Sequence, residues 1–117
     1  MNIGIVGGRN FQDYDLLKEK VVEFINGNHI SVDALVSGGA RGADTLAEKL
    51  AAEINVEMIV FKPDYEKHGK GATLARNTLI IEHSDVVFAF WNGKSRGTLD
   101  SITKAQKMEK ELFIISY

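Results

Sequence analysis

The sequence contains no cysteine, one proline and three histidines among its 117 residues. The absence of cysteine excludes disulfides and thiolate catalysis, and the histidines are too scattered along the chain to indicate a zinc cluster. No apolar run approaches the length that spans a membrane, and Met1 to Val6 lack the basic region and long apolar stretch of a signal peptide. We therefore expect a cytoplasmic protein with no metal, cofactor or membrane partner.

The chain also lacks a strong charge of either sign, since its formal net charge is -2. Proteins that bind nucleic acid usually carry a basic domain or face, so we do not expect nucleic acid as a partner, although a local basic patch is compatible with this composition. The hydrophobic fraction of 44% and the charged fraction of 26% are typical of globular proteins. The length predicts a single domain that covers residues 1–117.

Five short apolar runs are present, and each resembles a buried β-strand. They are rich in Ile, Val and Phe and do not alternate with polar residues, as expected when helices cover both faces of a parallel sheet. The runs are Ile3 to Val6, Ala34 to Val36, Met58 to Phe61, Val86 to Phe90 and Leu112 to Ile115.

Segments with helical spacing separate these runs. Tyr14, Leu17, Val21 and Phe24 form one apolar stripe, and a second runs from Ala43 to Ile54. Two further helices are predicted over Thr73 to His83 and Thr98 to Glu109. Strands that alternate with helices predict an α/β fold: one Rossmann-like, three-layer domain with a five-stranded, mainly parallel sheet and helices on both faces. Ligands of such sheets bind beyond the carboxyl ends of the strands.

Three glycines join the second predicted strand to the second helix. Glycines let the backbone approach a ligand closely, and the first helical turn presents free N–H groups, so this junction is suited to a phosphate. Its spacing is neither that of the dinucleotide fingerprint nor that of the ATPase phosphate loop. Asp44 is either a cap of the helix or a direct ligand contact, for example to a ribose hydroxyl. The candidate contacts are Ser37, Gly38, Gly39, Ala40, Arg41, Gly42 and Asp44.

The loop after the first strand, Gly7 to Phe11, also combines glycines with polar side chains. Arg9 can form two hydrogen bonds to a phosphate or carboxylate, and Asn10 can contact a ligand or support the turn. The alternative is a tight turn with a solvated arginine. The candidate contacts of this loop are Gly8, Arg9 and Asn10.

The loop after the fourth strand offers a second anion cradle at a helix N-terminus. Gly97 can present its backbone N–H and Thr98 its hydroxyl, while Trp91 either stacks on a base or packs in the core. Two such loops at one edge of a sheet favour a shared ligand site. The candidate contacts are Trp91, Ser95, Arg96, Gly97 and Thr98.

A long charged loop, Lys62 to Ala72, follows the third strand, and long loops without structure of their own tend to be functional or mobile. His68 is a proton donor, a phosphate contact or an ordinary surface group. Arg76 and Asn77, early in the next helix, either point back into the cleft or lie on the surface.

The motifs Gly7 to Phe11, Ser37 to Asp44, His68-Gly69, Arg76-Asn77 and Gly97-Thr98 resemble, in this order, those of the SLOG superfamily and most of all its small YpsA-related branch. The resemblance covers nearly the whole chain. It implies a Rossmann-like domain that binds a nucleotide or a nucleotide-derived phosphorylated small molecule between these loops.

Two better understood relatives are also similar. The second loop resembles the Ser-Gly-x-Ala-x-Gly-x-Asp stretch of the DNA-processing protein family, which loads recombinase on single strands. The later half is similar to the "lonely guy" phosphoribohydrolases, which implies a homodimer. In that similarity Arg76 matches a catalytic-site arginine, and Gly97 and Thr98 match the residues that hold phosphate. Ser101 stands where the hydrolases have a catalytic glutamate.

The serine at position 101 argues against hydrolysis, because cleavage of an N-glycosidic bond needs a correctly positioned carboxylate. Asp100 is adjacent, but one helical step rotates it by roughly 100°. We therefore expect binding of a nucleotide-type small molecule as the main function. The alternative is a nucleotide N-glycosidic hydrolase with Arg76, Asp100, His68 and Glu66 as catalytic candidates. A second alternative is single-stranded DNA binding, for which Lys62, Lys67, Lys70, Arg76, Lys94, Arg96 and Trp91 are candidates.

Overall fold

Five parallel β-strands form one sheet in a computed structural model that describes residues 1–117. The strand order is β3-β2-β1-β4-β5, and every neighbouring pair is parallel. The α/β, Rossmann-like prediction is confirmed. The strands are β1 (Asn2–Gly7), β2 (Ala34–Ser37), β3 (Glu57–Val60), β4 (Val86–Trp91) and β5 (Glu111–Ser116).

Five helices connect the strands: α1 (Tyr14–Gly27), α2 (Ala43–Glu53), α3 (Tyr65–His68), α4 (Ala72–Glu82) and α5 (Arg96–Lys107). None of them has the length and apolarity that a membrane crossing requires. Helix α4 begins one residue before its predicted start at Thr73. Helix α5 begins two residues before its predicted start at Thr98, because it starts directly after its capping residue Ser95.

The loop after β3 has structure of its own, contrary to prediction. It contains α3 and a 3₁₀ turn over Gly69–Gly71. The Asp64 side chain starts α3 by accepting a hydrogen bond from the Lys67 N–H at 3.1 Å. A four-residue helix is too short to show an apolar period, so the sequence pattern did not reveal it.

Two hydrophobic clusters lie on opposite faces of the sheet. One joins Ile3 and Ile5 of β1 to the buried faces of α1 and α2, whereas Val6 of β1 packs in the other, with residues of α4 and α5. This alternation along β1 follows from the twofold side-chain period of a strand. The pattern explains why the central strands read as continuous apolar runs.

The prediction that all five strands are buried is wrong for the two outer strands, β3 and β5. In β5 the side chains of Phe113 and Ile114 remain 37% and 45% exposed, and no residue of β3 is fully buried. Both strands lie at the edges of the sheet, where each has a neighbour on one side only. An apolar run therefore predicted a strand correctly but not its place in the sheet.

The order of strands reverses at β1. The chain proceeds from β1 to β2 and β3 on one side and then crosses to β4 and β5 on the other. A crevice opens between the carboxyl ends of β1 and β4 at such a switch point, and ligands of open α/β sheets bind there.

Candidate functional site

A cavity of about 400 Å³ lies at this switch point. Its walls come from the loop after β1, the start of α2, the face of α4 and the start of α5, and only three of its fifteen lining residues are hydrophobic. Ligand pockets of this size are common, but most are lined chiefly by apolar side chains. The polar lining favours a small polar or charged ligand.

Arg76 projects from α4 into the cavity and is held in place by three acceptors. Its Nη1 donates to the carbonyl oxygen of Gly38 at 2.8 Å and to that of Phe61 at 3.5 Å, and its Nε donates to Asn77 Oδ1 at 3.1 Å. A guanidinium carries five donors. The remaining Nη2 group is therefore available to a ligand.

A second arginine, Arg9, lines the same cavity from the loop after β1. Burial lowers the pKa of Arg76, the nearby Asp44 and Tyr65 oppose this effect, and the positive charge of Arg9 adds to it. The two guanidinium groups therefore repel each other. An anion placed between them would relieve this repulsion and bind both.

Asp44 lies at the cavity wall and is buried, with only 7% of its surface exposed. Its Oδ2 accepts from the Ala40 N–H at 3.0 Å, and its Oδ1 is 2.6 Å from Ser37 Oγ. Burial raises the pKa of Asp44, and its hydrogen bonds and the charge of Arg76 oppose this shift only in part.

The hydroxyl of Ser37 has two acceptors within reach, the carbonyl oxygen of Ile5 at 2.9 Å and Asp44 Oδ1 at 2.6 Å. A serine hydroxyl carries one hydrogen and cannot donate to both. Two arrangements satisfy these distances: Ser37 donates to an ionised Asp44, or a protonated Asp44 donates to Ser37 Oγ while Ser37 donates to Ile5. Burial raises the pKa of Asp44 and so shifts the balance toward the second arrangement.

The N-terminus of α2 is partly occupied by contacts within the protein. The Ala43 N–H donates to the carbonyl oxygen of Gly8 at 3.3 Å, and the Ala40 N–H is taken by Asp44. Gly42, at φ +77°, packs so closely on the loop after β1 that a Cβ there would collide with the Gly8 carbonyl. The three glycines permit close packing against three different neighbours: Gly42 against the loop after β1, Gly38 against Arg76 and Gly39 against Val60.

The N-terminus of α5 is the better anion cradle. Ser95 caps the helix by accepting from the Thr98 N–H at 3.3 Å. The N–H groups of Arg96 and Gly97, at the first two helical positions, have no partner within the helix. Ser95, Gly97 and Thr98 all line the cavity, together with the two arginines. Free donors, a helix dipole and two cations thus surround one space.

Ten of the eighteen residues predicted to contact the ligand line the cavity; they are Gly8, Arg9, Asn10, Ala40, Asp44, Arg76, Asn77, Ser95, Gly97 and Thr98. Three more lie outside the lining but contact residues that line it: Ser37 contacts Asp44, Gly38 contacts Arg76 and Gly42 contacts Gly8. The other five lie outside the lining, and they are Gly39, Arg41, His68, Trp91 and Arg96. Trp91 packs beside the core, and its Nε1 donates to the carbonyl oxygen of Ser95 at 3.0 Å.

The catalytic candidates other than Arg76 also lie outside the lining. Glu66 and His68 are exposed on α3. Asp100 points to the contact between α4 and α5, where its Oδ2 accepts from Asn77 Nδ2 at 3.1 Å and from Lys104 Nζ at 2.8 Å. Asp44 is thus the carboxyl group in the lining.

Ser101, in the position that corresponds to the hydrolase glutamate, does line the cavity, and its hydroxyl donates to the carbonyl oxygen of Gly97 at 3.4 Å. Four further lining residues are absent from the predicted contacts: Val6, Gly7, Thr73 and Ile80. Thr73 and Ile80 lie three and four residues from the central pair Arg76-Asn77, so helical periodicity from Arg76 was the signal that could have found them.

The chain is similar in sequence to one described protein family and to a phage protein. Residues 1–68 match the model of a family described as YspA, cpYpsA-related SLOG family. The Gene 61 protein of Mycobacterium phage D29 is 32% identical over 109 residues, which cover 88% of this chain and 86% of that protein.

Two solved structures share the fold. DNA processing protein A of Helicobacter pylori, studied for its single-stranded DNA binding mode, matches with a TM-score of 0.73 and 26% identity over 97% of this chain and 64% of that chain. Its counterpart from Streptococcus pneumoniae matches with a TM-score of 0.76 and 19% identity over 99% and 50%, which shows the fold alone. The chain thus spans less than two thirds of either protein.

The similarity to the Helicobacter protein contradicts one prediction, that nucleic acid is not a partner. The small net charge led us not to expect nucleic acid, yet a protein with this fold over nearly the whole chain binds single-stranded DNA. Net charge averages over the entire surface, whereas binding depends on the few groups around one cleft. The exclusion of nucleic acid is therefore wrong.

Proposed function

The chain belongs to the YspA, cpYpsA-related SLOG family, and from this premise we propose that its cavity binds the phosphate group of a nucleotide. The family and the DNA-binding relative support a role in binding nucleotides or nucleic acid. The structure of the site supports a free nucleotide or nucleotide-derived molecule as the first candidate.

One observation carries this proposal. Arg9, Arg76 and the start of α5, with its free N–H groups, all line a single polar cavity. A phosphate between them accepts hydrogen bonds from both sides, and its charge offsets the repulsion between the arginines. The volume of about 400 Å³ is within the range of small-molecule pockets.

A binding measurement with matched arginine variants tests the proposal. Isothermal titration with the common nucleoside 5′-monophosphates is expected to find at least one ligand, and Arg76→Lys is expected to weaken it at least about tenfold, because lysine cannot keep the forked contacts to the site and the ligand. Arg41→Lys is the control, since Arg41 is exposed and outside the lining. Equal losses in both variants would contradict the site assignment.

Single-stranded DNA is the second candidate, favoured by the Helicobacter relative. Lys62, Lys67 and Lys70 follow β3 at the same edge of the sheet and are exposed. A DNA strand that lies across this edge would meet them beyond the cavity. Binding through several phosphates releases counterions, so affinity falls steeply with salt.

Fluorescence anisotropy with oligo(dT) separates the two candidates. If DNA is the ligand, its affinity falls with added salt and exchange of the three lysines for glutamine reduces the salt slope. If a free nucleotide is the ligand, the same lysine variant keeps its nucleotide affinity. Release of free base from nucleoside monophosphates, lost in Arg76→Ala, would instead support the hydrolase alternative.

A further inference from the structure

Tyr117, directly after β5, lies over the loop that follows β1. Its Oη donates to Asn10 Oδ1 at 2.7 Å, and its ring packs against Phe11 with centroids 4.7 Å apart. Phe11 in turn stacks on Phe90 of β4 at 4.8 Å and is buried. A residue distant in sequence thus reaches one wall of the cavity.

The contact is close and has two anchors. The main-chain N–H of Tyr117 donates to the carbonyl oxygen of Trp91 at 3.3 Å, which ties it to the end of β4. On the other side, a Cβ on Gly8 would collide with the Tyr117 hydroxyl. Gly8 and Asn10 both line the cavity, so the position of this hydroxyl is tied to the shape of that wall.

We propose that Tyr117 is a positioning residue for this site, because its hydrogen bond to Asn10 Oδ1 presents the Asn10 Nδ2 group to the ligand as a donor. An asparagine amide has one oxygen that accepts and one NH₂ group that donates. Once the oxygen is engaged by Tyr117, the NH₂ group is the end left for the cavity. The role rests on the proposed function, since an anionic or carbonyl-bearing ligand needs donors there.

The hydroxyl is suited to this task across the neutral range. Burial raises the pKa of Tyr117 above its ordinary value of 10.0. It therefore stays protonated and can donate at any pH at which the protein is normally studied.

Tyr117→Phe tests the proposal, because it removes the hydroxyl and keeps the ring on Phe11. Binding of AMP or oligo(dT), whichever the wild type binds, is expected to weaken about three- to tenfold, as for the loss of one hydrogen bond. In an Asn10→Ala background the same exchange is expected to have no further effect. Tyr14→Phe is the matched control, since the Tyr14 hydroxyl bonds Glu53 on α2, away from the cavity.

A second readout needs no ligand. In NMR spectra of the free protein, Tyr117→Phe is expected to shift the side-chain NH₂ signals of Asn10, whereas Tyr14→Phe leaves them unchanged. Unchanged Asn10 signals, or full binding in Tyr117→Phe, would overturn the positioning role. If the wild type binds none of the common nucleoside 5′-monophosphates and no oligo(dT), the proposed function fails, and the Asn10 signals still decide whether Tyr117 orients the amide.

Discussion

The Nη1 atom of Arg76 donates a hydrogen bond to the carbonyl oxygen of Gly38 at 2.8 Å, which ties α4 to the loop after β2. These residues are 38 positions apart: Gly38 directly follows β2, whereas Arg76 lies on α4 in the crossover from β3 to β4. The contact fixes the direction from which the Arg76 guanidinium enters the cavity. The glycine-rich run therefore contributes to the site by holding an arginine as well as by its own backbone.

Gly38→Ala is expected to weaken ligand binding with little loss of stability. A Cβ at this position collides with the guanidinium of Arg76, and the backbone there does not require a positive φ. The flexible arginine can move away, so the fold tolerates the change while the site loses its geometry. Titration with the nucleotide that the wild type binds, alongside urea denaturation, checks both statements. In an Arg76→Ala background the same exchange should leave the residual affinity unchanged, and a further loss there would argue against this mechanism.

Asp44→Asn is expected to keep the free energy of unfolding within about 1 kcal/mol of the wild type, whereas Asp44→Ala loses about 1–3 kcal/mol. An asparagine can donate through Nδ2 to Ser37 and accept through Oδ1 from Ala40, as a protonated aspartate does. Alanine leaves the Ala40 N–H without its acceptor and Ser37 Oγ with the Ile5 carbonyl oxygen as its remaining partner. Urea denaturation of the three proteins measures the difference, and equal losses in the two variants would show that an amide cannot replace the carboxyl group in these hydrogen bonds.

The raised pKa of Asp44 also predicts a pH dependence. Between the ordinary aspartate value of 3.8 and the raised pKa, the folded state binds more protons than the unfolded state. The contribution of this residue to stability is therefore full below 3.8 and falls as the pH rises through the folded pKa. Comparison of the unfolding free energies across this range should show a decline in the wild type that Asp44→Asn lacks. An equal slope in both would refute the shift.

Gly42→Ala is expected to lower stability, whereas Gly97→Ala is expected to weaken ligand binding. Gly42 has a positive φ and no room for a Cβ, so its exchange strains the backbone and lowers stability by about 1–3 kcal/mol. Gly97 lies in the first turn of α5 with open space around it and ordinary φ, so its exchange keeps stability. Its effect falls on the ligand, because a methyl group then projects near the α5 N-terminus. Thermal unfolding with and without nucleotide separates the two, and an unstable Gly97→Ala protein would contradict this distinction.

The central strands could be predicted from sequence because burial on both faces produces runs such as Val86 to Phe90. The run in β5 reads in the same way, yet Phe113 and Ile114 are exposed, since local composition does not report which strand lies at an edge. The homodimer and the cytoplasmic location stay predictions.

The candidate site was predictable in outline, because the loops that end parallel strands meet at one edge of the sheet. The role that each of these loops plays in the site could not be predicted. That Asp44 accepts from the Ala40 N–H in the loop before α2, and that Arg76 reaches Gly38, depends on how the loops after β1 and β2 pack together. Spacing within either loop contains no information about that packing.

A structure of the protein with a bound nucleoside monophosphate is the sharpest test of the proposed phosphate site. We expect phosphate oxygens between the guanidinium groups of Arg9 and Arg76, within hydrogen-bond distance of the Gly97 N–H or the Thr98 hydroxyl. A phosphate bound at the start of α2, or anywhere outside the cavity between the ends of β1 and β4, would contradict it.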